Sequence, residues 1–322
     1  MSSEDVFIRG SVSNKLDGFG FIRSSDKEYP DDCFFHPSSL AEDSFDELNE
    51  GDIVEFVRVD DGLHPGRSCR FRAVQVRVVR QLEVGAYSLR GGDHDFNEDD
   101  FVVDAVVPGI RVMATVADGV SNPPDTGWWA SAEAITYLTL GLAQSPLRRN
   151  HTALARQGSQ RKNQMRSLLD KIQADFKNRQ LEMTDNRRQG KSTLSIVLAE
   201  HRSFVWASAG DSFILKVDFH GKRNLLVAGT KQARVSSAVL SPVGDRKADW
   251  NPQVGIGRLD ADEGLLLCTD GVLVDEVQRF TGARMSHQDI ARKIVEHSIE
   301  ANGRDDATCV LISWARGHTG AQ

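Results

Sequence analysis

The chain has 322 residues, of which 40% are hydrophobic and 26% are charged, and its formal net charge is −7 at pH 7. This is the composition of a globular protein with enough chain for two domains of ordinary size. Its apolar runs are too short to span a bilayer, and its first residues lack the basic start and apolar stretch of a signal peptide. The four cysteines are scattered and form no CxxC pair, which argues against a disulfide framework or a zinc knuckle. These features predict a cytoplasmic protein.

The first part of the chain has the pattern of short β-strands separated by turns. Strand-like runs cover residues 6–12, 18–23, 33–36, 52–59 and 71–79. Five short strands without helical periodicity predict a small, all-β, OB-like closed barrel over residues 1–80. This segment holds 16 acidic and 10 basic side chains, so it carries most of the acidic excess of the chain. Residues 80–86 are predicted to form a short joint.

Beyond the joint, strand-like and helix-like segments alternate without a regular rhythm. Residues 128–143 are apolar almost all round, and residues 165–176 carry apolar side chains at helical spacing. Strand-like runs cover residues 101–106, 111–117, 193–199, 204–209, 213–217, 264–268 and 308–314. Strand pairs without a strand-helix-strand repeat predict an α+β domain rather than a doubly wound sheet.

Carboxylates occur in this second part where four predicted strands begin or end. They lie in the segments Asn97-Glu98-Asp99-Asp100, Ala117-Asp118-Gly119, Thr269-Asp270-Gly271 and Asp305-Asp306. Side chains at neighbouring strand ends can converge on one point, and a glycine after an aspartate lets the backbone turn sharply. Such oxygen ligands suit Mg²⁺ and Mn²⁺. A simple turn explains any one segment, whereas the four together predict a metal centre.

Two further segments, Lys191-Ser192-Thr193 and Gly210-Asp211-Ser212, lie between the second and third of these. With them, residues 84–316 resemble the metal-dependent 2C-type serine/threonine phosphatases. The resemblance implies a central β-sandwich flanked by helices, with two Mn²⁺ or Mg²⁺ ions in a cleft and a weaker third ion near Asp185. It also implies hydrolysis of phosphoserine and phosphothreonine in proteins by a hydroxide that bridges the metals.

The resemblance assigns roles residue by residue. Asp118 would bridge both metals, and the carbonyl of Gly119 would bind one of them. Asp99 would hold a metal-bound water, and Gly210-Asp211-Ser212 would be a turn that supports the sheet. The remaining metal ligands would be Glu98, Asp270 and Asp305.

Three features depart from the family pattern. His94 stands where the family has a phosphate-gripping arginine, so either His94 or the nearby Arg90 would hold the substrate phosphate. Residues 120–124 replace a glycine-rich stretch and leave no histidine beside Asp118, so water would protonate the leaving oxygen. Asp306 stands where asparagine is common and adds negative charge near the metals.

An aromatic motif in residues 17–22 and 33–36 marks the first part of the chain. Strand alternation places its members on one face, namely Phe19, Phe21, Phe34 and His36. The motif resembles the two ribonucleoprotein motifs of cold-shock domains, whose aromatic faces stack single-stranded bases. However, the aromatic residues that the family has on its first strand are missing at positions 12 and 13. Weak binding of single-stranded RNA or DNA and a regulatory protein-interaction module are equally compatible with this sequence.

The sequence therefore predicts a metal-dependent protein serine/threonine phosphatase that acts on a phosphorylated protein and has no membrane partner. The alternative is a weak single-stranded RNA- or DNA-binding protein with a degenerate, regulatory phosphatase domain. Retention of every proposed carboxylate ligand speaks against this alternative.

Overall fold

The computed structural model of the chain divides into two compact units, Met1–Gln81 and Leu82–Gln322. Within the part of the chain that the structure describes, no helix is long and apolar enough to cross a membrane. The described residues are 6–25, 28–29, 31–41, 44–46, 48, 50, 52–62, 69–79, 82–107, 111–120, 126–149, 158–182, 190–200, 203–219, 224–228, 242–245, 250–260, 263–281 and 285–314.

The first unit is a closed barrel of five strands, which confirms the prediction from the strand pattern. The strands are β1 (Phe7–Leu16), β2 (Phe19–Ser24), β3 (Cys33–Phe35), β4 (Ile53–Asp60) and β5 (Phe71–Val78). They pair in the order β1-β2-β3-β5-β4, and β1 also pairs with β4, which closes the barrel. Every second side chain of a strand faces the same side, so residues such as Val12, Ile22 and Phe56 fill the interior.

The second unit is built on two β-sheets. Its strands are β6 (Leu82–Leu89), β7 (Asp99–Val107), β8 (Arg111–Val120), β9 (Lys191–Ser192), β10 (Leu194–Glu200), β11 (Ser203–Ala209), β12 (Phe213–Asp218), β13 (Asn224–Ala228), β14 (Gln253–Arg258), β15 (Glu263–Cys268) and β16 (Ala307–Trp314). The first sheet has the order β14-β11-β10-β8-β7, with β9 paired to β8. The second sheet has the order β13-β12-β15-β16-β6.

Helices cover the outer faces of both sheets. In the described part of the second unit they are α1 (Gly127–Gln144), α2 (Pro146–Arg149), α3 (Gly158–Glu182), α4 (Val274–Thr281) and α5 (His287–Asn302). One buried apolar cluster joins the inner faces of the sheets, with Val116 and Val197 from the first and Leu267 and Val310 from the second. A second cluster joins the first sheet to α1 and α3, and a third joins the second sheet to α4 and α5. This α/β/β/α arrangement confirms the predicted β-sandwich flanked by helices.

The predicted joint over residues 80–86 is wrong for its larger part, because residues 82–89 form strand β6. The backbone of β6 pairs with β16 along its whole length, from Leu82 opposite Trp314 to Leu89 opposite Ala307. Gly85 lies at the centre of this strand, and a Cβ atom there would collide with the backbone of His287 in α5. The glycine that obscured the strand in the sequence is therefore what allows α5 to pack closely on it.

Candidate metal centre and active site

The strands that carry the predicted acidic segments start or finish at one edge of the sandwich. Asp118 is the eighth residue of β8, and its Cα pairs with that of Asp99 at the start of β7. Asp270 follows the end of β15 by two residues, and Asp305 precedes β16 by two. Antiparallel pairing thus brings the end of one strand to the start of the next, so carboxylates that are distant in sequence become neighbours.

Three carboxylates form the centre of this site. Ligand oxygen atoms of Asp118, Asp211 and Asp270 all lie within 4.8 Å of one another. Asp305 also lies close enough for its charge to raise the pKa of Asp270. The sequence interpretation gave Asp211 only a structural role in a turn, whereas the structure adds its carboxylate to the cluster. The sequence did contain an indication that Asp211 belongs to the cluster, because Asp211, like Asp270, is a carboxylate next to a glycine just after a strand.

The neighbouring hydroxyl groups support the turn that was predicted here. The backbone nitrogen of Asp118 donates to Oγ1 of Thr193 at 2.9 Å, and the nitrogen of Thr193 donates to the carbonyl of Asp118 at 2.8 Å. The hydroxyl of Thr193 is also hydrogen-bonded to that of Ser212. These contacts fix the end of β8 against the β11–β12 turn and hold the backbone of Asp118 in place.

A close backbone contact sets the carboxylate of Glu98 beside the carbonyl of Gly119. The nitrogen of Gly119 donates to the carbonyl of Glu98 at 3.0 Å. A Cβ atom at Gly127, the first residue of α1, would lie 2.5 Å from Cδ of Glu98 and 2.5 Å from the oxygen of Gly119. Glycine at position 127 therefore lets two of the predicted ligand groups and the start of α1 meet. Carboxylate and carbonyl oxygens are the donors that Mg²⁺ and Mn²⁺ prefer.

Burial and mutual repulsion disfavour the charged forms of these carboxylates. Burial first, and then the charge of Asp99, raises the pKa of Asp118 well above its usual range. Burial and the charge of Asp305 raise the pKa of Asp270 to about 6. Burial also raises the pKa of Asp305. A divalent cation offsets both the cost of burial and the mutual repulsion, so these carboxylates fit such an ion.

Asp99 lies deeper than the three central carboxylates. Its Oδ2 accepts a hydrogen bond of 2.7 Å from the hydroxyl of Thr269, and that hydroxyl accepts one of 2.9 Å from the nitrogen of Thr308. Burial raises the pKa of Asp99 well above its usual range. The two threonines orient one of its oxygens, and its backbone lies opposite that of Asp118.

Asp306 organises the segment over residues 91–98 that carries the two candidate phosphate-holding residues. Its carboxylate accepts hydrogen bonds from the backbone nitrogens of Gly91 at 2.7 Å and Glu98 at 2.6 Å, and it lies 2.9 Å from Nδ1 of His94. Burial lowers the pKa of His94, but the hydrogen bond with Asp306 and the negative charges of Asp306, Glu98 and Asp305 together outweigh it and leave the pKa raised. Arg90 donates from Nη1 to the carbonyl of Asp95 at 2.8 Å. From the sequence, Asp306 was expected only to add negative charge near the metals. The structure shows that it also positions this segment.

The remaining predicted features of this unit lie outside the described residues. They are Asp185, predicted near a third metal, and residues 121–124 of the stretch that replaces the family's glycines.

The aromatic face of the barrel is present in the structure. The ring centroids of Phe19, Phe21 and Phe34 are separated by 5.9, 5.7 and 6.1 Å, so the three rings form one cluster. His36 follows the end of β3, where its Nδ1 accepts a hydrogen bond from the backbone nitrogen of Ser38. The structure thus groups the three phenylalanines and gives the histidine a local capping contact.

Carboxylates pair with the arginines of the barrel. The ion pairs include Arg23 with Asp32 at 3.0 Å, Arg58 with Asp31 at 3.5 Å and Arg70 with Asp60 at 2.5 Å. The guanidinium of Arg58 also lies over the ring of Phe71, 3.3 Å from its centroid. Positive charges that are already neutralised contribute less to binding a phosphate backbone.

The fold and the centre define an α+β sandwich with a candidate divalent-cation site at one edge. Residues 85–314 match the family model described as protein phosphatase 2C, and the chain belongs to this family. Residues 8–79 match the model described as the 'Cold-shock' DNA-binding domain. No curated protein matches the chain.

Solved structures of bacterial phosphatases share the fold of the second unit. The serine/threonine phosphatase PstP/Ppp of Mycobacterium tuberculosis is 19% identical with a TM-score of 0.56, over 72% of this chain and 98% of that one. The serine/threonine phosphatase of S. agalactiae is 17% identical with a TM-score of 0.60, over 72% and 99%. Stp1 of Staphylococcus aureus, a serine/threonine phosphatase, is 17% identical with a TM-score of 0.59, over 72% and 94%.

Proposed function

We propose that residues 84–316 form a phosphatase domain that hydrolyses phosphoserine and phosphothreonine in proteins and depends on two Mn²⁺ or Mg²⁺ ions. The observation that carries the proposal is the meeting of the Asp118, Asp211 and Asp270 carboxylates within 4.8 Å at the edge of the sandwich. Membership of the protein phosphatase 2C family supports the reaction. The four cysteines form no disulfide bond, which supports a cytoplasmic location.

The oxygen atoms at this edge would hold the cations. In this proposal Asp118 serves both ions and the Gly119 carbonyl serves one, while Asp211 offers a carboxylate to a weaker third ion. The other ligands are Glu98, Asp270 and Asp305. When bound, the cations would activate a water as the nucleophile and would offset the negative charge that develops on the phosphate.

The residues around the ligands position water and substrate. Asp99 would accept a hydrogen bond from a water, while its Oδ2 stays bonded to the hydroxyl of Thr269. His94, oriented by Asp306, donates to the substrate phosphate from Nε2, or Arg90 does so from its guanidinium. The leaving serine or threonine oxygen takes its proton from water, because no histidine follows Gly119 in the sequence.

Turnover of a phosphothreonine peptide with and without metal tests the proposal. The protein is first treated exhaustively with EDTA and then assayed as Mn²⁺ is added back. We expect hydrolysis only with Mn²⁺ or Mg²⁺. Full activity in the chelated protein would refute metal dependence, and no hydrolysis of any phosphopeptide with either metal would refute the phosphatase assignment.

The aromatic cluster of the barrel favours a second, minor function for residues 1–80, the weak binding of single-stranded RNA or DNA. Phe19, Phe21 and Phe34 offer ring faces on which bases stack. The match to the 'Cold-shock' DNA-binding domain supports this function. Its affinity is limited by the ion pairs that neutralise the arginines beside the cluster.

A further inference from the structure

Two exposed aromatic side chains lie at the rim of the carboxylate centre. Phe96 and Trp128 are 61% and 46% exposed, although residues of this size are usually buried. Their ring centroids are 6.3 Å apart with an angle of 48° between the ring planes, so they form one apolar surface. Val120, 37% exposed, directly follows Gly119. We call the surface of Phe96 and Trp128 the aromatic rim.

The aromatic rim is tied to the catalytic residues by the backbone. Phe96 is two residues before Glu98, so the two Cα atoms are at most about 7 Å apart. Trp128 follows Gly127, the glycine whose position is set by close packing against the Glu98 carboxylate and the Gly119 carbonyl. The backbone thus places both rings within two residues of groups that belong to the proposed metal site.

Hydrogen bonds and a helix hold the backbone segments that carry Phe96 and Trp128 in place. The segment that carries Phe96 is held by Asp306 through the nitrogens of Gly91 and Glu98, and by Arg90 through the carbonyl of Asp95. Trp128 is the second residue of α1, so the helix fixes its direction. A preorganised surface loses little conformational entropy when a ligand covers it.

We propose that the aromatic rim is a specificity-determining surface that selects phosphopeptides with a bulky apolar residue one or two positions from the phosphorylated residue. The proposal rests on the phosphatase function proposed above. In an extended peptide, neighbouring Cα atoms are about 3.8 Å apart and alternate ones about 7 Å, which matches the spacing between Phe96 and Glu98. A leucine, methionine or phenylalanine at such a position covers the two rings and removes apolar surface from water.

Five phosphothreonine peptides test this selectivity. One has only glycine at the four positions that flank the phosphothreonine, and the others carry one leucine at position −2, −1, +1 or +2. With Mn²⁺ present, we expect at least one leucine peptide to have a kcat/KM about tenfold higher than that of the glycine peptide, since hydrophobic pockets discriminate by this order. The readout is the ratio of the two kcat/KM values.

Variants of the rim should remove the preference. Trp128→Ala and Phe96→Ala are expected to bring the ratio to about one, whereas Trp128→Phe, which keeps a ring, should retain part of it. Leu140→Ala is the matched control, because Leu140 is 56% exposed on the same helix about 18 Å further along. Melting temperatures of all variants show that they are folded.

The outcomes separate this inference from the proposed function. If the wild-type protein hydrolyses no peptide with Mn²⁺, the phosphatase function fails and the inference fails with it. If it hydrolyses all five peptides equally well, the function stands and the inference is overturned. Equal loss of activity on every peptide in Trp128→Ala would show that the ring only supports the fold of the site, and this would also overturn it.

Discussion

His94 and Asp306 form a pair where the family pattern has arginine and asparagine. The carboxylate of Asp306 is 2% exposed and lies 2.9 Å from Nδ1 of His94, so it orients the imidazole and leaves Nε2 for another partner. An imidazole donates one hydrogen bond from that side, whereas a guanidinium carries a permanent charge and a fork of donors. If His94 holds the phosphate as proposed, we therefore expect it to bind less tightly than an arginine would.

The variant His94→Arg should bind substrate more tightly. One additional charge-assisted hydrogen bond to the phosphate lowers KM for a phosphopeptide by about tenfold. Steady-state kinetics with Mn²⁺ measure this change. If Arg90 holds the phosphate instead, His94→Arg leaves KM unchanged and Arg90→Ala raises it. An unchanged KM in both variants would show that neither residue touches the substrate.

The carboxylates of the centre make the stability of the metal-free protein depend on pH. The pKa of Asp270 in the folded protein is about 6, above the value near 3.9 of an unfolded aspartate. The folded state therefore binds its proton more tightly than the unfolded state does. The resulting stabilisation is complete below the unfolded pKa and is lost as the pH rises through about 6.

Urea unfolding in EDTA should reveal this loss between about pH 4 and 6.5. We expect the variant Asp270→Asn to lose less stability than the wild-type protein over this range, because the residue no longer titrates. Asp104→Asn, on strand β7 and away from the centre, is the control and should behave like the wild type. Identical pH dependence in all three proteins would contradict the raised pKa of Asp270.

At the scale of elements, a buried ion pair joins strands β8 and β10. Nη2 of Arg111 lies 2.8 Å from Oε2 of Glu200, and both side chains are at most 5% exposed. Arg161 at the start of α3 is also buried, and burial followed by the charge of Arg111 lowers its pKa, while Glu200 opposes this change. One carboxylate thus offsets the charge of two buried guanidinium groups.

Neutralising that carboxylate should weaken the fold without touching the catalytic edge. Glu200→Gln breaks the buried ion pair with Arg111 by removing its negative partner, which costs about 3–5 kcal/mol in the free energy of unfolding. The exposed pair of Arg179 with Glu182 supplies the control, since Glu182→Gln should cost less than about 1 kcal/mol. Equal effects of the two variants in urea unfolding would contradict this explanation.

The sequence predicts best those strands that are marked by one clear pattern of residues. Strands β8, β15 and β16 are apolar runs bounded by aspartates, and the predicted runs lie within them. Strand β14 escaped prediction because it is a sheet-edge strand with two glycines and no buried residue. Helix α5 was also missed, although Ser286 caps its first turn and accepts a hydrogen bond from the nitrogen of Asp289.

The same limit applies to the site. The sequence places carboxylates at strand ends, which is enough to predict that Asp118 and Asp270 converge. It does not show which strand ends face each other. For that reason the sequence did not predict that Asp211 joins the carboxylate cluster or that Asp306 positions residues 91–98. Their roles follow from the order of strands in two sheets and from contacts between residues about 200 positions apart, such as Asp306 with Gly91.

At the scale of the whole molecule, the barrel should add little affinity for nucleic acid. Residues 1–80 carry a net charge of −6, and carboxylates pair with arginines beside the aromatic cluster. We expect the full chain to bind a fluorescent single-stranded oligonucleotide with a Kd of about 1 μM or weaker at physiological salt. Nanomolar affinity that is lost in Phe19→Ala but kept in Ile53→Ala, a change at an exposed residue of β4, would contradict this expectation.

The most direct test of the carboxylate centre is the Mn²⁺-dependent rate of phosphothreonine peptide hydrolysis by the variant Asp118→Ala. Because Asp118 is proposed to serve both cations, its removal should lower kcat/KM by more than about 100-fold, beyond the usual effect of residues that only orient a ligand. Asp104→Ala is the control, because Asp104 pairs with Met113, about 16 Å along β8 from Asp118. A folded Asp118→Ala protein with near-normal turnover would show that the reaction does not take place at this centre.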